Sequence, residues 1–129
     1  MTENYYLDTQ TWLDLAEKRG YNGEIVKRLL QKIIKENKTI LYSDFTLKEL
    51  KKIGYLENEI NKILSAAKPN NLKRIHKTKE QFLEGKKLAK QRNIPLGDAI
   101  HAVLARDHEA VLVSRDQDFK KLKDIVETK

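Results

Sequence analysis

Short apolar runs alternate along this chain with longer segments of helical periodicity, and that alternation limits the fold more than any other feature. Tyr5 to Asp8 reads as a short buried strand, and Thr39 to Tyr42 as a second one with β-branched residues. Leu72 to Ile75 is a weaker third, Val111 to Ser114 a fourth, and Ile125-Val126 a candidate fifth. Helical patterns separate the first four. Strands that alternate with helices build a parallel sheet covered on both faces. The expected class is therefore α/β, with a central parallel sheet of four or five strands.

The helical segments are read from their apolar spacing. Thr9 to Gly20 places Trp12, Leu13, Leu15 and Ala16 on one face, with Gly20 as a C-terminal stop. Glu24 to Asn37 repeats Ile25, Val26, Leu29, Leu30, Ile33 and Ile34 at helical spacing. Thr46 to Ile53 and Asn58 to Ala67 follow, split by Gly54-Tyr55, and Pro69-Asn70-Asn71 reads as a turn. Lys79 to Arg92 is closed by Ile94-Pro95-Leu96-Gly97; Asp98 to Asp107 is alanine-rich, and Phe119 to Leu122 is a short helical turn. No repeat or linker divides the 129 residues, so residues 1–129 are expected to form one domain.

Lysine and arginine number 26 against 19 acids, a net charge of +7. Such a balance points to a polyanionic partner, because cationic side chains release counterions from phosphates, although many basic proteins use charge only for solubility. The preponderance of lysine favours diffuse phosphate attraction over bidentate base reading. The Lys-Lys pairs at 51–52, 86–87 and 120–121 read as solvated helix faces. With 0 cysteines, disulfides, thiolate zinc sites and cysteine nucleophiles are excluded. No apolar run approaches the ~20 residues that span a bilayer. The opening Met-Thr-Glu-Asn-Tyr-Tyr-Leu-Asp lacks the pattern of a secretory signal, so a cytoplasmic protein is expected.

Against this basic background four acids recur in order: Asp8 after the first strand, Glu49 after the second, Asp98 on the helix before the fourth, and Asp116 after the fourth. Side chains at the carboxyl ends of parallel strands share one crevice. Carboxylates gathered there repel one another unless a divalent cation holds them, and such oxygen donors suit Mg²⁺ or Mn²⁺. Each acid also has a local explanation. Asp8 and Asp98 stand where a helix N-cap is wanted. Thr46-Leu47-Lys48-Glu49 fits a capping box, and Asp116 with Asp118 would cap the turn at Phe119. Asp44 is a rival acid just past the second strand, and His101 lies one turn beyond Asp98 on the same side.

Four segments resemble the PIN domain family, and within it the small VapC-type ribonuclease toxins. They are Tyr6-Leu7-Asp8-Thr9, Thr46-Leu47-Lys48-Glu49-Leu50, Ile94 to Ala102, and Leu112-Val113-Ser114-Arg115-Asp116-Gln117-Asp118-Phe119. The resemblance implies a three-layer α/β/α sandwich that cleaves RNA with Mg²⁺ or Mn²⁺. It implies catalytic roles for Asp8, Glu49, Asp98 and Asp116, with Asp8, Asp98 and Asp116 on the metal. Ser114 falls where the family carries threonine or serine near the metal, Asp118 would add a water-mediated contact, and Gly97 in place of a commoner alanine is expected to matter little. Aspartates make short, rigid ligands, while the longer Glu49 would orient or deprotonate the attacking water.

The expected function is a metal-dependent endoribonuclease, the toxin of a toxin–antitoxin pair. Two other readings are open to the sequence: a PIN-type RNA-processing or decay nuclease without an antitoxin, and a module that binds RNA without cutting it. A receiver domain also gathers acids at a sheet edge, but it wants adjacent acids after its first strand, which Asp8-Thr9 does not supply. The apolar surface of segments 24–37 and 58–67 predicts a homodimer, with an antitoxin segment docking on the same protomer. Arg115 is the cation nearest in sequence to a proposed ligand and is expected to contact RNA phosphate.

Overall fold

The computed structural model describes residues 3–17, 20–67 and 71–128. Four strands, β1 (Asn4–Leu7), β2 (Thr39–Ser43), β3 (Leu72–Ile75) and β4 (Ala110–Val113), form one sheet in the order β3-β2-β1-β4. Every pairing is parallel, with Tyr5 opposite both Ile40 and Val111, and Leu7 opposite Val113. Among the described residues, six α-helices connect them: α1 (Thr9–Ala16), α2 (Gly20–Lys35), α3 (Asp44–Ile53), α4 (Glu57–Leu64), α5 (Lys79–Arg92) and α6 (Leu96–Asp107). A 3-10 helix, Gln117–Leu122, follows β4. The class is the α/β sandwich with an all-parallel sheet that the alternation predicts.

Side chains alternate across each strand, so two cores form. Tyr5, Leu7, Ile40, Val111 and Val113 pack with Trp12, Leu30, Ile33, Leu50 and Ile60 from the α1–α4 side. Tyr6, Leu41, Ala110 and Leu112 pack with Ile100, Leu104, Phe119 and Leu122 from the α5–α6 side. β1 is thereby buried on both faces between two neighbours. Among the described residues, no helix is long and apolar enough to cross a membrane.

Several boundaries move, each for a local reason. α1 ends at Ala16, where the Glu17 N–H closes on Leu13 and Leu15 carbonyls, and Gly20 (φ 59°) opens α2 instead of ending α1. α3 begins at Asp44 because Ser43 is its N-cap, with Oγ accepting from Thr46 N at 3.1 Å. α4 stops at Leu64, and Ser65 Oγ donates to Lys62 O at 2.6 Å. α6 begins two residues early, at Leu96. Ser114 lies past the end of β4. The candidate fifth strand is absent: Ile125 N and Val126 N turn back to Leu122 O, and only a single bridge joins Leu112 to Thr128. Of the turn read at Pro69-Asn70-Asn71, Pro69 and Asn70 lie outside the described residues, as do positions 18 and 19.

α5 packs against α6, where Gly85 faces the fully buried Ile100; a Cβ at Gly85 would lie 2.8 Å from Ile100 Cγ1 and 3.4 Å from Ile100 Cα. This approach seats α6 against the sheet, and Arg106 on α6 adds a fork of hydrogen bonds to Glu84 on α5. Gly85→Ala gains up to ~1 kcal/mol of helix propensity. It costs ~1–3 kcal/mol of overpacking, because Ile100 cannot retreat into a filled core. A net loss of up to about 2 kcal/mol is expected, read as a lower urea midpoint at unchanged m-value. A variant more stable than the parent would refute the close-packing account.

Candidate active site

In the order β3-β2-β1-β4 the chain leaves β1 toward β2 and returns to β4 on the other side. Its outgoing connections therefore diverge between β1 and β4, and a crevice opens at their carboxyl ends. Leu7 and Val113 end the two strands in register, so Asp8 and Ser114 are delivered side by side. A cavity of about 270 Å³ there is lined by Asp8, Thr9, Glu49, Asp98, His101 and Asp116, with Lys52 and Ile53 at the α3 side. All four sequence-predicted acids thus line one cleft.

Asp8 is buried and fully engaged: Oδ1 accepts from Thr11 N (2.9 Å) and Thr11 Oγ1 (2.5 Å), and Oδ2 accepts from Ser114 Oγ (2.6 Å). It caps α1 and faces the cleft at once. Asp116 does the same for the 3-10 helix, its Oδ1 accepting from Asp118 N at 2.9 Å. Asp98 is not a cap. Pro95 holds the N-cap position of α6, and Asp98 stands in the first turn. Oxygens of Asp98, Asp116 and Asp118 all lie within 4.8 Å of one another. Asp118, open in the sequence reading, joins Asp98 and Asp116 in this group, and Asp8 lines the same cleft.

Asp98 carries the strain of this arrangement. Its Oδ2 is buried without a hydrogen-bond partner. Burial, then repulsion from the Asp116 carboxylate and the hydrogen bond a protonated Asp98 would donate to it, then the charges of Asp8 and Asp118, push its carboxyl up to about 8. The positive end of α6 favours an ionised acid by under ~1 kcal/mol and is outweighed. An orphaned carboxylate oxygen among hard oxygen donors fits a divalent cation. Asp98, Asp116 and Asp118 would hold it, with Asp8 beside them.

Glu49 does not belong to a capping box, since Ser43 caps α3 and Glu49 stands in the second turn. It accepts instead from His101 Nε2 (2.6 Å) and Thr9 Oγ1 (2.5 Å), both on Oε1. Burial alone would raise its carboxyl, but the hydrogen bonds from His101 and Thr9 hold it below the ordinary value. A Cβ at Gly97 would sit 2.9 Å from Glu49 Oε2, the movable end of that side chain. His101 is 2% exposed and joins Tyr6, Ser43 and Thr46 in a buried network that the apolar reading of Tyr6 concealed. Its contact was signalled only by its place one turn after Asp98. Asp44 stays outside the cleft and accepts from Lys77 N at 2.9 Å. Arg115 turns away to Asp14, with Nε to Oδ2 at 2.7 Å.

Residues 5–125 match the PIN domain profile. The chain belongs to the PIN domain family. Curated protein sequences give no match. Among solved structures it is similar to VapBC2 from Rickettsia felis bound to a promoter DNA fragment, at 20% identity over 98% of this chain and 97% of that one, with a TM-score of 0.73. It is similar to a toxin–antitoxin complex from Klebsiella pneumoniae (23% identity, 89% of each chain, TM-score 0.60). It is also similar to VapC20 of Mycobacterium tuberculosis, a sarcin-ricin loop cleaving toxin (16% identity, 95% and 97% covered, TM-score 0.68).

The raised Asp98 carboxyl sets a pH dependence for the metal-free PIN domain. An unfolded aspartate ionises near ~4; the folded one holds its proton to about 8. Across that window the folded state binds more protons, so stability falls as pH rises and the loss is complete above the folded value. Asp98→Asn should flatten this slope, measured by urea denaturation in chelator at the two ends of the window. An unchanged slope in the variant would show that Asp98 ionises normally.

Proposed function

We propose that this PIN domain is a metal-dependent endoribonuclease acting as the cytoplasmic toxin of a toxin–antitoxin pair. The observation that carries the reading is the Asp98–Asp116–Asp118 trio, its oxygens within 4.8 Å and one of them buried and unpartnered, in a chain of net charge +7. The VapBC-type neighbours support the toxin assignment over a nuclease without an antitoxin.

A bound Mg²⁺ or Mn²⁺ supplies a water ionised near neutral pH and charge stabilisation on the phosphate. The rest falls to the chain's own residues. Asp98 and Asp116, with Asp118 and Asp8, form the ligand wall. Ser114 Oγ fixes Asp8 Oδ2 and is itself fixed by donating there and accepting from Asp116 N at 3.0 Å. Glu49, ionised and tied by one oxygen, orients the attacking water with the other and takes its proton. Lys52 at the rim draws the RNA phosphate toward the cleft.

Purified protein should cut structured RNA with Mg²⁺ or Mn²⁺ and not in chelator. Asp98→Asn should lower the rate by about 10²-fold or more, comparable to losing one strong electrostatic contact to the transition state. RNA affinity should drop steeply with salt. Full cleavage by Asp98→Asn in Mn²⁺ would sink the mechanism.

Assembly is a second consequence. Tyr21 is 81% exposed and Ile25 45%, and a groove of about 580 Å³ between α1, α2 and α4 is lined by Leu15, Leu30, Ile34, Ile63 and Ala66. This apolar surface supports a homodimer and an antitoxin segment seated in the groove. Light scattering at tens of micromolar should give twice the 15.1 kDa chain mass; a monomer there would count against self-association.

A further inference from the structure

A chain of buried polar groups lies behind Glu49. Thr46 N donates to Ser43 Oγ at 3.1 Å. Ser43 Oγ stands 2.8 Å from the Tyr6 hydroxyl, which stands 2.6 Å from His101 Nδ1. His101 Nε2 then meets Glu49 Oε1 at 2.6 Å. Tyr6, Ser43 and Thr46 are fully buried and His101 nearly so. Burying such groups costs stability unless each is satisfied, and one assignment of protons satisfies Tyr6, Ser43 and His101 together. Ser43 donates to Tyr6, Tyr6 donates to Nδ1, and the imidazole carries its proton on Nε2 and donates to Glu49.

We propose that Tyr6 and His101 are positioning residues that aim Glu49. They saturate Oε1 together with Thr9 and leave Oε2 as the oxygen presented to the reacting water. The inference rests on the nuclease reading, in which Glu49 works on that water. Three features support it. Both hydrogen bonds of Glu49 end on Oε1. The Phe45 ring packs against the imidazole at 5.1 Å between centroids and fixes its plane. Gly97 leaves Oε2 the space that a methyl group would take. The network reaches from strands β1 and β2 through α6 to α3, so the carboxylate is referenced to the rigid centre of the sheet. Groups that orient a working side chain in this way are typically worth about 10–100-fold in activity.

The test is a double-mutant cycle in single-turnover RNA cleavage at saturating Mn²⁺, with thermal melting beside it. Tyr6→Phe keeps shape and burial and removes only the hydroxyl; it should slow cleavage about tenfold. His101→Ala should lose more, and His101→Gln, whose amide can still donate to Glu49, should recover part of that loss. KM and the Mn²⁺ midpoint should stay unchanged in all three. On a Glu49→Gln background the same changes should have no further effect, because they act through Glu49. Additive losses in the cycle, or rates that follow the melting temperature, would overturn the proposal and make the network structural. Imidazole ¹⁵N spectra of the metal-free protein give a readout independent of cleavage. The Nε2-protonated form is expected, and Tyr6→Phe should disturb it. If wild-type protein cuts no RNA, the nuclease reading falls; a spectrum with the proton on Nδ1 overturns the positioning chain on its own.

Discussion

Three carboxylates within 4.8 Å of one another at the end of a parallel sheet repel, and the fold is arranged to hold them there regardless. Each is fastened by apolar burial on the element that carries it. Ile100 and Leu104 seat α6 behind Asp98, and Phe119 and Leu122 seat the 3-10 helix behind Asp116. Each such side chain contributes ~1.5–3 kcal/mol when buried. Repulsion is also lessened from within, because an Asp98 that keeps its proton to about 8 removes one negative charge from the cluster near neutral pH. The acidic cleft is thus tolerated through burial around it and protonation inside it.

Local capping and cleft lining turn out to be compatible. A carboxylate has about four lone-pair sites, so a cap bond consumes one of several. Asp116 gives Oδ1 to the Asp118 N–H and still lies within the trio. Asp8 caps α1 through Oδ1 while Oδ2 is held by Ser114, which ties the end of β1 to the exit of β4. The same short side chains that start the helices fix the geometry of the cleft floor. This suits a site whose backbone turns and ligands must arrive together.

What the sequence makes legible follows from the range of the interactions involved. Strands such as Leu72–Ile75 and helices such as Lys79–Arg92 are defined by periodicity over their own length, and they are observed with those bounds. Errors cluster where a competing cap decides, as at Ser43 for α3, or where backbone turns back on itself, as at Ile125 and Val126. The convergence of acids was readable because strand order in an alternating α/β chain sends loop residues to one edge. The Tyr6–His101–Glu49 chain was not, since its partners lie 95 and 52 residues apart and Tyr6 reads as an apolar strand residue. Asp118 was open for a related reason: two acids two residues apart give no periodic hint of which one faces inward.

Charge near the cleft divides between holding the fold and meeting a polyanion. Arg115 is adjacent to Asp116 in sequence, yet its guanidinium grips both oxygens of the buried Asp14 on α1, at 2.7 and 3.2 Å. Pulling it away would cost the buried Asp14 this charge-assisted pair, a poor exchange for one phosphate contact. Arg115 is therefore a strut between α1 and the β4 exit. Among the described residues, the cation lining the cleft is Lys52, which acts as a point charge and does not read bases by a bidentate fork. In the proposed endoribonuclease, RNA affinity would come from diffuse phosphate attraction, and the choice of cleavage point would come from the shape and depth of the acidic cleft.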